Sequence, residues 1–284
     1  MHIQQFKKEF FKSLNRLYPI TEIQSFFNIL IEHQLHLNRI DVALKPEYNI
    51  ENPVLEFLQN ALCDLKKHIP IQHIIGETEF FGLTFKVNSN VLIPRPETEE
   101  LVSWILNNSK IQTSNSKLSI LDIGSGSGCI AISLAKNLPN AEVFALDIST
   151  EALKIAKENA KTNNVKIHFM EADILKLKEL PYKFDIIVSN PPYVRELEKD
   201  QMQENVLEHE PHLALFVKDE DPLLFYDKIA DFAKTNLLKN GKLYFEINQY
   251  LGNETVELLS TKGFENIALK KDIYGVDRMI KSSF

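Results

Sequence analysis

The sequence has little cysteine, no long apolar run and no surplus of positive charge. Two cysteines in 284 residues, Cys63 and Cys129, are too few for a disulfide framework or a four-cysteine metal site, and suggest a reducing compartment. No apolar stretch approaches the roughly 18 residues needed to cross a bilayer, so no membrane span is expected. Lys7, Lys8, Glu9 and Lys12 interrupt the phenylalanines of residues 1–15. That leaves no secretory h-region, and Glu9 speaks against a transit peptide. Basic residues number 32 and acidic ones 39, and the deficit holds in both 1–90 (9 against 10) and 91–284 (23 against 29). Binding of nucleic acid through bulk electrostatics is therefore not expected. Neither an internal repeat nor a low-complexity tract is visible. What remains, 44% apolar and 25% charged, reads as a cytoplasmic globular protein with room for one large domain or for a moderate one plus a small one.

The chain changes texture near Gly76. Before it, Phe6, Phe10, Phe11, Leu14 and Leu17 recur at helical steps, as do Ile23, Phe26, Phe27, Leu30 and Ile31. Thr21 and Asn52 are candidate N-caps, and four or five short helices are expected over 1–76. From Glu79 to Val87 the pattern alternates around Gly82, which predicts a β-hairpin within 77–93. Residues 94–284 begin with Pro94-Arg95-Pro96-Glu97 and a helix to about Leu106, then a polar loop from Asn107 to Lys117. Strands are expected at 118–123, 142–147, 166–170, 184–189 and 242–247, with helices at 128–137, 150–163, 222–238 and 251–262. Two last strands fall near 265–271 and 276–282. Such alternation builds a mostly parallel, Rossmann-like α/β sheet with helices on both faces.

Two strand ends carry the chemistry. After Leu118–Leu121 comes Asp122-Ile123-Gly124-Ser125-Gly126-Ser127-Gly128, and a helix opens at once. A glycine loop at that edge brings backbone close to a nucleotide, and Asp147, ending the next strand, can accept both hydroxyls of a ribose. Asp173 and Ile174 follow a third strand and can form the adenine edge. The dinucleotide fingerprint needs glycine or alanine where Cys129 stands. The D-x-G-x-G-x-G spacing resembles the class I S-adenosylmethionine-dependent methyltransferases, with a nicotinamide dinucleotide the competing cofactor.

The second strand end is Asn190-Pro191-Pro192-Tyr193. Successive prolines fix the backbone and supply no N–H, so the Pro191 carbonyl is held in one direction. The Asn190 side-chain oxygen lies beside it. Two such acceptors suit a planar NH2 whose lone pair is delocalised. They orient the nitrogen toward an electrophile without a strong base. Tyr193 can offer its ring near a sulfonium charge. The tetrad resembles that of methyltransferases acting on the exocyclic amines of adenine or guanine, or on the amide of glutamine.

The resemblance narrows with Gln72-His73-Ile74-Ile75-Gly76, Phe81-Gly82, Ile93-Pro94-Arg95-Pro96-Glu97-Thr98-Glu99, Glu208-His209-Glu210-Pro211, and Asp272 through Arg278. Together with the loop and tetrad, these are similar to the peptide chain release factor glutamine methyltransferases (HemK/PrmC family) along essentially the whole chain. The resemblance implies methyl transfer from S-adenosylmethionine to the glutamine of the Gly-Gly-Gln loop of release factors. The helical domain would grip the factor, and Arg95 and Glu97 would lie near the substrate. A structural ion pair in the hairpin-to-helix connection is the other reading of those two residues. A ribosomal-protein glutamine, a nucleic-acid base and a silent cofactor-binding adaptor stay open as rivals. The chain departs from the family pattern at 216–223, where Asp221 is expected to cap a helix with Pro222 in its first turn, and at Glu246-Ile247-Asn248-Gln249, which lacks a glycine. No metal site is expected, since His33/His36 and His209/His212 have no evident third ligand.

Overall fold

A computed structural model describes residues 1–109, 117–202 and 204–284. They divide into two compact units, Met1–Gly76 with Glu204–His209, and Glu77–Gln203 with Glu210–Phe284. The helices are α1 (Ile3–Leu14), α2 (Ile20–Leu35), α3 (Arg39–Leu44), α4 (Asn52–Leu65), α5 (Ile71–Ile75), α6 (Pro96–Ser109), α7 (Cys129–Asn137) and α8 (Thr150–Thr162). After these come α9 (Glu204–His209), α10 (His212–Leu215), α11 (Leu224–Asn236) and α12 (Gly252–Thr261).

In the first unit, the phenylalanine stripe makes the core that its spacing predicts. Phe6, Phe10 and Phe27 are buried, with the Phe10 and Phe27 rings edge to face at 5.9 Å. Neither expected cap forms. Pro19 takes the N-cap position of α2 and its carbonyl accepts from Glu22 and Ile23, leaving Thr21 inside the first turn. Glu51, not Asn52, caps α4, because its carbonyl already receives the Leu55 N–H. The side-chain cap that does form is a capping box between Asn38 and Asp41 on α3.

The second unit opens with the expected hairpin, β1 (Glu77–Phe80) against β2 (Leu83–Lys86). Phe81 and Gly82 both have positive φ, 53° and 71°, the two-residue turn whose twist suits a hairpin. The remaining strands are β3 (Ser119–Ile123), β4 (Glu142–Asp147), β5 (His168–Glu171), β6 (Phe184–Ser189), β7 (Val194–Arg195), β8 (Phe216–Val217), β9 (Leu237–Glu246), β10 (Glu265–Lys271) and β11 (Asp277–Ser283). Seven of them form one sheet in the order β10-β11-β9-β6-β3-β4-β5. Neighbours from β9 to β5 run parallel, and β11 is antiparallel to both β9 and β10.

Central strands are mostly apolar because both faces are covered. Ile120, Val143, Ile186 and Val188 point into a core shared with α6 and α7. Leu121, Phe144, Leu146 and Ile187 point into the opposite core, with α11. Boundaries shift by a few residues from expectation. The helix expected to end near Leu106 runs on to Ser109, and residues 110–116 of the expected polar loop lie outside the described residues. Strand β9 begins at Leu237, not 242. Helix α11 begins at Leu224 with Leu223 at the N-cap; Pro222 sits in the preceding turn, and Asp221 contributes its carbonyl, not its carboxylate.

Candidate active site

The glycine loop leaves the carboxyl end of β3 and is fastened to the end of β4. Gly124 N and Ser125 N both donate to the Leu146 carbonyl, at 2.8 and 3.1 Å. Gly126 N donates to Asp147 Oδ2 at 2.8 Å, and Ser149 N to Oδ1 at 2.8 Å. Burial raises the Asp147 pKa despite those bonds. Asp122 is wholly buried, and desolvation, reinforced by the Asp147 charge, pushes its pKa up to about 7. Ala131 N donates to its Oδ2, while Asp122 Oδ1 and Ser125 Oγ are buried without a hydrogen-bond partner among the described residues.

The three glycines differ. A Cβ on Gly124 or Gly126 would enter open space. One on Gly128 would sit 3.0 Å from Ile132 Cδ1 and 3.2 Å from Ala156 Cβ. Gly128 therefore serves close packing of α7 on α8, whereas the space beside Gly124 and Gly126 is open. Ser127 lies buried beneath the loop, where its carbonyl receives Asn159 Nδ2 at 2.9 Å. Asp173 follows β5 at the same sheet edge. Its Oδ2 is 2.9 Å from Lys176 Nζ and its Oδ1 accepts from Leu175 N, which together hold its carboxyl below the usual range. Ile174 is packed into the core beside Phe144 and Leu146. Two orphaned oxygens, an open glycine face and buried acids fit a cationic ligand with N–H and O–H donors, as S-adenosylmethionine is.

The tetrad stands next to this loop because β6 pairs with β3, with Ser189 opposite Ile123. Ser189 Oγ donates to the Ile123 carbonyl at 2.7 Å, so Asn190 and Gly124 leave the sheet side by side. Asn190 is half-buried and Pro191 buried. Asn190 Nδ2 donates to Thr98 Oγ1 at 3.4 Å. Tyr193 packs its ring against the core. Its hydroxyl donates to Glu246 Oε1 at 3.0 Å, and desolvation with the Glu246 charge holds the phenol far above its ordinary pKa. Desolvation also raises Glu246, opposed by hydrogen bonds from Thr98 and Tyr193 and by the Arg278 charge. Arg278 in turn donates to Asp272 at 3.1 Å. In the segment after β9 that lacks a glycine, Asn248 Oδ1 accepts from Tyr250 N, and its Nδ2 donates to the Tyr193 carbonyl at 3.0 Å.

Arg95 is engaged within the protein. Its guanidinium lies 2.6 Å from Glu210 Oε1, and Glu210 Oε2 accepts from Ile93 N at 3.1 Å. Glu97 is half-buried and adds negative charge beside Glu246. The histidine pairs have local neighbours. His33 packs on Phe57 and His36 ends α2 in the left-handed conformation. His212 meets Phe216, and a ring nitrogen of His209 is 2.9 Å from the Lys67 carbonyl. Among the described residues no group of acids, histidines and cysteines suits a metal ion. Sequence reasoning assigned no role to Asp122, Thr98, Glu246, Asn248 or Arg278. All five stand in or beside quoted motifs, which was the available signal.

Comparison with known proteins agrees with this geometry. The Methyltransferase small domain model matches residues 103–214, and the PrmC N-terminal domain model matches residues 12–76. A release factor glutamine methyltransferase of Flavobacterium psychrophilum is 57% identical over 284 residues, the whole of both chains. One from Bacteroides thetaiotaomicron is 42% identical over 273 residues, 96% of each chain. Among solved structures, the hMettl16 catalytic domain shares the fold with a TM-score of 0.55 at 16% identity, over 83% of each chain. A Rossmann-like methyltransferase sheet, a helical amino-terminal unit and full-length relatives of one kind converge: the chain belongs to the release factor glutamine methyltransferase family.

Proposed function

We propose that the protein transfers a methyl group from S-adenosylmethionine to the side-chain amide nitrogen of the glutamine in the Gly-Gly-Gln motif of peptide chain release factors. The observation carrying this reading is the juxtaposition of two strand ends, one with an open glycine cradle and the other with two rigid acceptors. Gly124, Ser125, Gly126 and Asp147 would hold the cofactor, supported by Ser127 and Gly128 below and by Asp173 and Ile174 at the edge of β5. When bound, S-adenosylmethionine supplies a methyl group on a sulfonium centre and departs as a neutral thioether.

Asn190 Oδ1 and the Pro191 carbonyl accept the two N–H hydrogens of the substrate carboxamide. Pro192 denies the backbone an N–H that would compete, and Tyr193 walls the pocket. Held in this way, the nitrogen directs its lone pair at the methyl carbon, and the new N–C bond forms as the old S–C bond breaks. One amide proton then leaves to water. Positioning and fixed dipoles do the work, so no side chain needs to be a strong base. Arg95 braces the segment before α6 through Glu210, and Glu97 lies along the same segment beside the substrate. The helical unit 1–76 grips the release factor, in the cytoplasm and without direct nucleic-acid contact. No helix of the described residues is long and apolar enough to cross a membrane.

Radiolabelled methyl transfer to purified release factor, with a glutamine-to-alanine factor as control, tests the assignment. Asn190→Ala should lower kcat by about 100-fold, the scale seen when one preorganised polar group is removed, with little change in cofactor affinity. Equal activity in that variant would refute the role of Asn190. DNA, RNA and a ribosomal protein offered side by side test the rival substrates, and cofactor binding without turnover would mark an adaptor.

A further inference from the structure

A chain of donors and acceptors runs from the buried end of β9 to the tetrad. Glu246 is 1% exposed, and both of its carboxyl oxygens accept hydrogen bonds. Two hydroxyls donate to it, Thr98 Oγ1 to Oε2 at 2.6 Å and Tyr193 OH to Oε1 at 3.0 Å. The single proton of Thr98 is thereby committed, and its oxygen is left as an acceptor facing Asn190. Asn190 presents Nδ2 there, at 3.4 Å. A flipped carboxamide would set Oδ1 against the Thr98 oxygen with no proton between them. Repulsion in that flipped state, more than the strength of a long hydrogen bond, is what fixes the orientation.

We infer that Thr98 is a positioning residue for methyl transfer: held by Glu246, its hydroxyl dictates that the Asn190 carboxamide turns its oxygen, not its NH2, toward the substrate. This rests on the assignment of Asn190 made above. The orientation matters because a substrate carboxamide offers two N–H hydrogens. Asn190 with its NH2 turned outward would meet donor with donor and lose the contact that aligns the nitrogen. The parts of the relay are themselves held in place. Thr98 is 2% exposed in the first turn of α6, and its N–H donates to the Arg95 carbonyl at 3.1 Å. Arg95 is fastened to Glu210. Tyr226 OH donates to the Glu246 carbonyl at 3.3 Å, so the backbone carrying the carboxylate is pinned as well. Residues 98, 190 and 246 come from three separate elements, and together they define one polarity.

The test uses the full-length enzyme and release factor, with Thr98→Val, Thr98→Ser, Asn190→Ala and the double variant Thr98→Val/Asn190→Ala. Thermal unfolding and calorimetric cofactor binding accompany each. Thr98→Val should lower kcat by about tenfold or more while KM for the factor and Kd for S-adenosylmethionine stay within about threefold. Thr98→Ser, which keeps the hydroxyl, should recover most of that loss. In the Asn190→Ala background, Thr98→Val should change kcat by less than about twofold, because the group it orients is gone. A Thr98→Val enzyme with wild-type kcat, or losses that multiply in the double variant, would overturn the inference. If Thr98→Val proves unstable, Thr98→Ala supplies the hydroxyl-free arm under the same criteria. Full activity of Asn190→Ala would instead remove the earlier assignment, so the two failures are told apart.

Discussion

Replacing Gly128 and Gly126 in turn by alanine should separate the folding role of the cofactor loop from its binding role. Gly128 has φ 82°, and its new Cβ would stand 3.0 Å from Ile132 Cδ1 and 3.2 Å from Ala156 Cβ. Left-handed strain costs about 1–2 kcal/mol, and forcing a methyl group between packed helices about 1–3 kcal/mol more. A smaller unfolded-state entropy returns about 0.5 kcal/mol. The net loss is about 2–4 kcal/mol, a fall in Tm of roughly 5–15 °C for a unit of this size. At Gly126 the φ of 53° brings strain, but the Cβ meets nothing within 4 Å. Its stability cost is about 1 kcal/mol, while the methyl group projects into open space at the residue whose N–H bonds to Asp147. Thermal unfolding and titration calorimetry with S-adenosylmethionine read both quantities. Gly128→Ala should melt low and, where folded, bind; Gly126→Ala should melt near the parent and bind at least about tenfold more weakly. Normal cofactor affinity in Gly126→Ala, or unchanged stability in Gly128→Ala, would refute this division.

Two further outcomes follow from buried charge. The Asp122 carboxyl titrates near 7 when folded, well above its unfolded value of 3.8. Its stabilising contribution is thus complete below 3.8 and lost as the pH rises to about 7. Urea denaturation across that window should show the parent losing a few kcal/mol relative to Asp122→Asn, and a pH-independent difference would contradict the assignment. Arg95→Met strips a carboxylate whose side chain is 1% exposed of its cationic partner. It should cost about 2 kcal/mol, discounted because Arg95 is itself one-third exposed, and Glu210→Gln should recover part of that loss. A variant of unchanged stability but poor kcat/KM on release factor would mark Arg95 as a substrate contact instead.

Much of this architecture is legible in the chain because local signals decide it. The largely apolar strand Phe184–Ser189 runs into Asn190-Pro191-Pro192, and Ser119–Ile123 into a glycine loop, neither of which continues a strand, so the two chemical strand ends announce themselves. The relay is another matter. Thr98, Asn190 and Glu246 are separated by 92 and 56 positions, and the contact among them depends on β9 lying next to β6, which periodicity does not specify. Arg95 shows the same limit: its partner, Glu210, is 115 positions away. The missed caps have a simpler cause. At Pro19 and Glu51 the backbone carbonyl opens the helix unaided, and composition near a helix start cannot show which residue's main chain turns first. Asn248 closes an Asx turn with Tyr250 N after β9, a contact between near neighbours, whereas its bond to the Tyr193 carbonyl spans 55 positions.

Asn159 gives the loop a property that no residue within it supplies. Its Oδ1 accepts from Lys86 N, and its Nδ2 donates to the carbonyls of both Lys86 and Ser127. One carboxamide thus sutures the hairpin to the underside of the glycine turn across 73 positions. The conformational freedom of that turn is surrendered once, when the chain folds. A nucleoside bound there, as proposed, would meet a surface already at rest, and its association would lose little main-chain entropy.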